Sequence, residues 1–223
     1  MNYILPLLSV LLGFGVALWW QPQGKKNLKL LLAFSGSFLL SLTVINLLPE
    51  VYADGAQFHT GVFIMVGIVF QIFLEFFSKG AEHGHVHGHE KIQIMPWSLF
   101  ISLCLHALLE GFPVGHHQHL AFGIAIHHFP IAMILTLFFL KAGMSKKLLL
   151  VFMIGFALMT PLGTVLADSA PVLKTYYQEI TAVVIGILFH ISSTIIFESS
   201  EGHKFNVAKI TVIIFGVIMA SLL

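Results

Sequence analysis

Apolar residues run through this chain in long blocks separated by short polar connections. Eight blocks, at 3–20, 28–48, 60–77, 96–114, 120–140, 147–167, 179–197 and 205–223, are long enough to read as helices crossing a bilayer. About 20 residues rising 1.5 Å each cover the ~30 Å of hydrocarbon. Only the connection at 78–95 is long, and no linker divides the chain. The pattern predicts one all-α transmembrane domain over 1–223, a polytopic bundle of eight helices.

Composition agrees. Of 223 residues, 57% are hydrophobic and 9% charged, against about 25% charged in soluble domains. A net charge of +1 says nothing about nucleic acid, and the absence of arginine argues against a phosphate-binding surface built on bidentate forks. The lone Cys104 forms no internal disulfide and sits in an apolar block. The first block lacks a basic flank and reads as a retained helix. Lysines set the orientation. Lys25, Lys26, Lys29, Lys79, Lys91, Lys141, Lys146, Lys147, Lys204 and Lys209 fall at odd-numbered connections, and only Lys174 at an even one. By the positive-inside rule the odd connections are cytoplasmic and both termini extracytoplasmic, in a plasma (inner) membrane.

Ionisable groups inside apolar spans are costly and persist where they meet a partner, an ion or water. His106 and Glu110 are four apart in the fourth span, hence on one helical face. They read equally as a buried pair tying two helices together or as two ligands. His127, early in the fifth span, adds a third group at a similar depth, with Gly123 a turn before it. Two imidazoles and a carboxylate suit a borderline divalent cation such as Zn²⁺. His128 points about 100° away from His127. It joins the same ion only if Pro130 distorts the helix, and otherwise serves as polar packing. Pro113 and Pro130 free carbonyls that can bind cations where they line a cavity.

Outside the spans, His83, His85, His87 and His89 alternate with small residues in the 78–95 loop, a composition that binds metal. On the outer side His116, His117, His119 and His59, with Glu50 and Asp54, form a candidate cation entrance. Gln71 and Glu75 are four apart in the third span, and Glu75 is expected to snorkel or to pair with Lys79, four residues on. His190 lies mid-span in the seventh as a hydrogen-bonding group.

His106-x-x-x-Glu110-Gly111 followed by His127-His128-Phe129-Pro130 resembles the paired fourth- and fifth-helix signatures of the ZIP (Zrt/Irt-like) metal transporters. Asn46-Leu47-Leu48-Pro49-Glu50 is similar to that family's His-x-x-Pro-Glu, and Pro161-Leu162-Gly163 to its sixth-helix Pro-Leu-Gly. The eight spans and the His-rich loop agree. Three positions depart from the pattern: Ala107 stands for Asn, Ile131 for a His or Glu ligand, and Asn46 for His. The resemblance implies a divalent metal transporter, most readily for zinc as the transported substrate, working by alternating access toward the cytoplasm. Spans one, four, five and six would move against the others, and spans one to three would recur inverted as six to eight. It makes His106, Glu110 and His127 the core site, with His128 beside it, and the losses at Ala107 and Ile131 predict a single ion. Asn46, Glu50, His116 and His117 would serve entry and Glu198 exit. The expected partners are the metal ion and the lipid bilayer, with a homodimer left open. Two competing classes are an intramembrane zinc hydrolase, since Ser102-x-x-x-His106 resembles one signature of the ceramidase-like hydrolases, and a metal sensor that does not transport.

Overall fold

The computed structural model describes residues 3–20, 25–53, 57–78, 92–198 and 206–223. All regular structure among them is helical: α1 Ile4–Trp20, α2 Lys25–Leu42, α3 Leu48–Tyr52, α4 Gln57–Ser78, α5 Trp97–Glu110, α6 Gln118–Lys141, α7 Lys146–Ser169, α8 Pro171–Thr175, α9 Tyr177–Glu198 and α10 Val207–Ser221. A π-helical segment, Thr43–Leu47, runs α2 into α3, and a 3₁₀ turn, Phe112–Gly115, leads from α5 towards α6.

Six helical stretches are long and apolar enough to cross a membrane: α2 through α3, α4, α5 with its 3₁₀ turn, α6, α7 and α9. This makes the chain a multi-pass membrane protein. The first and last apolar blocks form shorter helices, α1 with 17 residues and α10 with 15. Pro49 does not end the second helix as its place in a connection implies; the chain stays helical from the π-helical segment through it into α3.

Helices of a membrane protein gain little from excluding lipid and pack where small residues let backbones approach. That rule sorts the bundle into two groups. In the first, a Cβ on Gly163 would lie 1.9 Å from the Leu108 carbonyl and one on Gly111 2.1 Å from that of Thr160, so α5 and α7 touch backbone to backbone. Thr164 Oγ1 donates to the Gly111 carbonyl at 2.7 Å. Against α6, α1 packs through Gly13 facing the Phe129 carbonyl, and Ser9 Oγ donates to the Ala125 carbonyl.

The second group joins α2, α4, α9 and α10. Gly67 and Gly186 bring α4 and α9 together, each Cβ position lying about as close to a facing carbonyl (1.9 Å at Val183, 2.0 Å at Ile64). Gly216 does the same for α10 against Phe34 and Ser37 of α2. Between the groups the α2–α6 contact differs: Gly123 is met by the side chains of Leu42, Leu39 and Phe38. Buried Leu103, Ile131, Leu135, Phe139, Phe152 and Phe156 fill the space around α5, α6 and α7.

Candidate metal centre

The 3₁₀ turn after α5 returns the chain into α6, so residues late in α5 and early in α6 share a level. On α5, His106 and Glu110 are 3% and 0% exposed, with His106 Nε2 3.1 Å from Glu110 Oε1. From α6, His127 brings a ring nitrogen so that one ligand atom from each of the three residues lies within 4.8 Å of the others. Among the described residues no other group of three or more His, Cys, Asp or Glu converges in this way.

The spacing suits a small cation. Zn–N and Zn–O bonds near 2.0–2.2 Å put tetrahedral ligand atoms about 3.3 Å apart. The His106–Glu110 edge already has that length, and a side-chain shift of about 1.5 Å or less closes the third corner. One carboxylate and two neutral imidazoles leave a divalent ion a net charge of +1, which limits the cost of burial. Glu110 Oε1 receives no hydrogen bond, an orphan acceptor of the kind a cation satisfies. Ala107, next to His106, and Ile131, one turn beyond His127, are buried and carry no donor atom in their side chains.

His128 is also buried and meets the triad at the second carboxylate oxygen of Glu110. Its Nε2 lies 2.9 Å from Glu110 Oε2, and its ring packs 5.4 Å from that of Phe156. Pro130, inside α6, has no N–H for the Ile126 carbonyl.

A second polar cluster occupies the end of the bundle where α5 passes into α6. His117 Nε2 lies 3.0 Å from Glu50 Oε2 of α3, and His116 Nε2 lies 3.7 Å from Asp168 Oδ1 of α7. Tyr3 donates its hydroxyl to Asp168, and the His116 ring meets Tyr177 edge-on at 5.0 Å. Burial pushes the His117 imidazole below its ordinary value, against the opposing pull of the Glu50 carboxylate. Asn46 is half-buried in the π-helical segment, whereas His59 and His119 are exposed. Asp168 and Tyr3 carry no local motif; the pairing of their helices with the 112–117 connector brings them in.

In the second helix group, Glu75 meets a histidine of the neighbouring helix. Its Oε2 lies 2.7 Å from His190 Nε2, because α4 and α9 are already pressed together at Gly67 and Gly186. Lys209, expected at an inner connection, is buried at the start of α10, where its Nζ donates to the Ile196 carbonyl in the last turn of α9. His83, His85, His87, His89, Asp54 and Lys79 lie outside the described residues, as does the side chain of Glu198. In comparisons with known proteins, no family model and no curated protein matches this chain.

Proposed function

We propose that the chain carries a divalent metal ion, Zn²⁺ first among them, across a membrane toward the cytoplasm, as a ZIP-like transporter working by alternating access. The observation that carries this reading is the convergence of His106, Glu110 and His127 at a fully buried point between helices built to sit in lipid. An ion cannot rest in hydrocarbon, so mid-depth ligands are what a crossing requires. The two packing groups support a moving part. The ligands stand on α5 and α6, which lock backbone to backbone with α7 and α1 respectively. Their α2–α6 boundary with the other group runs over side chains that can slide.

In this proposal all eight apolar helices cross, with both termini outside. Helices α1 and α10 reach only about 25 and 22 Å at 1.5 Å per residue, so the bilayer thins beside them. Glu50, His116, His117 and Asp168 form the entrance, Asn46 lies on the way in, and Glu198 and the His-rich loop take the ion on the inner side.

The test is uptake of radiolabelled Zn²⁺ by proteoliposomes holding the purified chain. Uptake should saturate, and His106→Ala should abolish it while the protein stays folded. Binding without uptake in the unaltered protein would replace transport with sensing. A second reading has its own support. Three protein ligands beside apolar Ile131 leave a coordination position open to water, as catalytic zinc requires, and Ser102 is buried one turn from His106. Zinc-dependent hydrolysis of a lipid amide or ester would favour that enzyme over the carrier.

A further inference from the structure

The carboxylate of Glu110 is divided. One oxygen, Oε1, lies 3.1 Å from His106 Nε2 on the side of the converging triad; the other, Oε2, lies 2.9 Å from His128 Nε2. An ionised carboxylate can only accept, so the hydrogen in the second contact sits on His128 Nε2. The nitrogen that His128 presents to Glu110 is therefore a donor and not a ligand atom. The other nitrogen of the His128 ring, Nδ1, is buried and has no hydrogen-bond partner. Its neighbour His127 is rotated about 100° from it on the helix, and contact with Phe156 packs the ring in place.

We propose that His128 is a positioning residue that holds Glu110 to monodentate ligation and so sets which metal the centre prefers. The inference rests on the metal-centre reading above and adds the basis of its selectivity. With Oε2 occupied, Glu110 offers the ion a single oxygen. Ile131 and Ala107 add no donor, so the protein supplies two nitrogens and one oxygen and water completes the shell. That low-coordinate, nitrogen-rich set favours Zn²⁺ or Co²⁺. Ions that prefer six oxygen-rich ligands, such as Mn²⁺, gain from a carboxylate that closes on them with both oxygens, and His128 denies them the second. Metal-bound histidines are usually oriented by outer carboxylates; here the roles are exchanged, and an outer histidine orients the carboxylate.

The experiment is metal competition on the purified full chain in detergent, with Zn²⁺, Co²⁺ and Mn²⁺ as the probes. The unaltered protein should bind one Zn²⁺ per chain and give the intense visible absorption of four-coordinate Co²⁺. In His128→Phe, Zn²⁺ affinity should fall about 10- to 100-fold, the range seen when an outer-shell partner is lost. Mn²⁺ affinity should hold or rise, so the Zn/Mn preference falls by about tenfold or more, and the Co²⁺ bands should weaken. His128→Gln, whose amide can still donate to Oε2, should restore the preference and the bands.

An unchanged Zn/Mn ratio in His128→Phe would overturn the inference, as would a glutamine variant no better than phenylalanine. Two ions per chain, one of them lost with His128, would make His128 a ligand instead. If His128→Phe does not fold, infrared spectra of the Zn-loaded unaltered chain decide. Widely separated carboxylate stretches mean monodentate Glu110, and closely spaced ones sink the proposal. Failure of the unaltered chain to bind Zn²⁺ would remove the metal centre itself, whereas binding that ignores His128 removes only its positioning role.

Discussion

Two glutamates of this protein meet histidines inside apolar helices, and they do so in different ways. Glu75 on α4 and His190 on α9 form a 2.7 Å pair whose side chains are 24% and 19% exposed. Glu110 on α5 is fully buried, with imidazoles from α5 and α6 around it and one oxygen that accepts no hydrogen bond. The first pair sits where glycines already clamp α4 to α9, and no third ligand-type residue converges on it among the described residues. Residue type alone therefore does not mark a cation site. Convergence of a further nitrogen and an unsatisfied oxygen is what makes Glu110 the candidate.

The sharpest way to break this contrast is to neutralise each glutamate in turn. Glu110→Gln removes the only charge that balances an ion at the centre. Zn²⁺ affinity, measured by titration calorimetry, should fall more than a hundredfold, since loss of an outer-shell partner alone costs 10- to 100-fold. Glu75→Gln should leave Zn²⁺ affinity within about threefold, because an amide next to His190 changes no metal ligand. Equal losses from the two changes would erase the distinction.

The glycine contacts offer a second, smaller test. Gly163→Ala and Gly186→Ala each place a methyl against a backbone carbonyl, at 1.9 and 2.0 Å. Each should destabilise by about 1–3 kcal/mol, the usual cost of overpacking. Only Gly163→Ala should also weaken Zn²⁺ binding, because it pushes α7 off the turn of α5 that carries Glu110. Thermal melts with and without Zn²⁺ should shift in parallel for Gly186→Ala and diverge for Gly163→Ala. Smaller again is the effect of filling the empty ligand position. Ile131→Glu, one turn beyond His127, should tighten Zn²⁺ binding about tenfold, or 1.4 kcal/mol. An unchanged affinity would mean that this position does not face the ion.

How much of this could be read beforehand depended on whether the information was local. The long helices follow from unbroken apolar runs, and the His106–Glu110 face from their spacing. His127 needed one step more, an estimate of depth across a single turn. Partners that depend on which helices become neighbours were not legible. His190 comes to Glu75 only through the close approach of α4 and α9. Asp168 and Tyr3 look like ordinary residues at helix ends until α7 and α1 meet the 112–117 connector. Rotation placed His128 off His127's face, but that Glu110 would reach it with its other oxygen follows only from side-chain positions. The π-helical segment was not legible either, since a single wide turn inside a helix carries no local motif of its own.

The smallest expected effect lies at the bundle end that carries His117. Three influences act on this imidazole: burial favours the neutral ring, Glu50 favours the charged one, and the neighbouring His116 again favours the neutral one. Burial is the largest, so the folded value lies below the ordinary 6.5. The folded chain then holds fewer protons on His117 than the unfolded chain wherever that ring titrates. Stability from burying it neutral is complete above about pH 6.5 and is lost as pH falls through the lower folded value. Acidification should therefore loosen the 112–117 connector, whose backbone is held by His116 N–H to Pro113 and His117 N–H to Val114. Amide exchange there, corrected for its intrinsic pH dependence, should quicken about two- to threefold between pH 7.5 and 5.5, a partly exposed pair being worth little more. His117→Gln should remove the change. Slower exchange at low pH would mean that the attraction to Glu50 outweighs burial, and that acid tightens this end of the bundle instead of opening it.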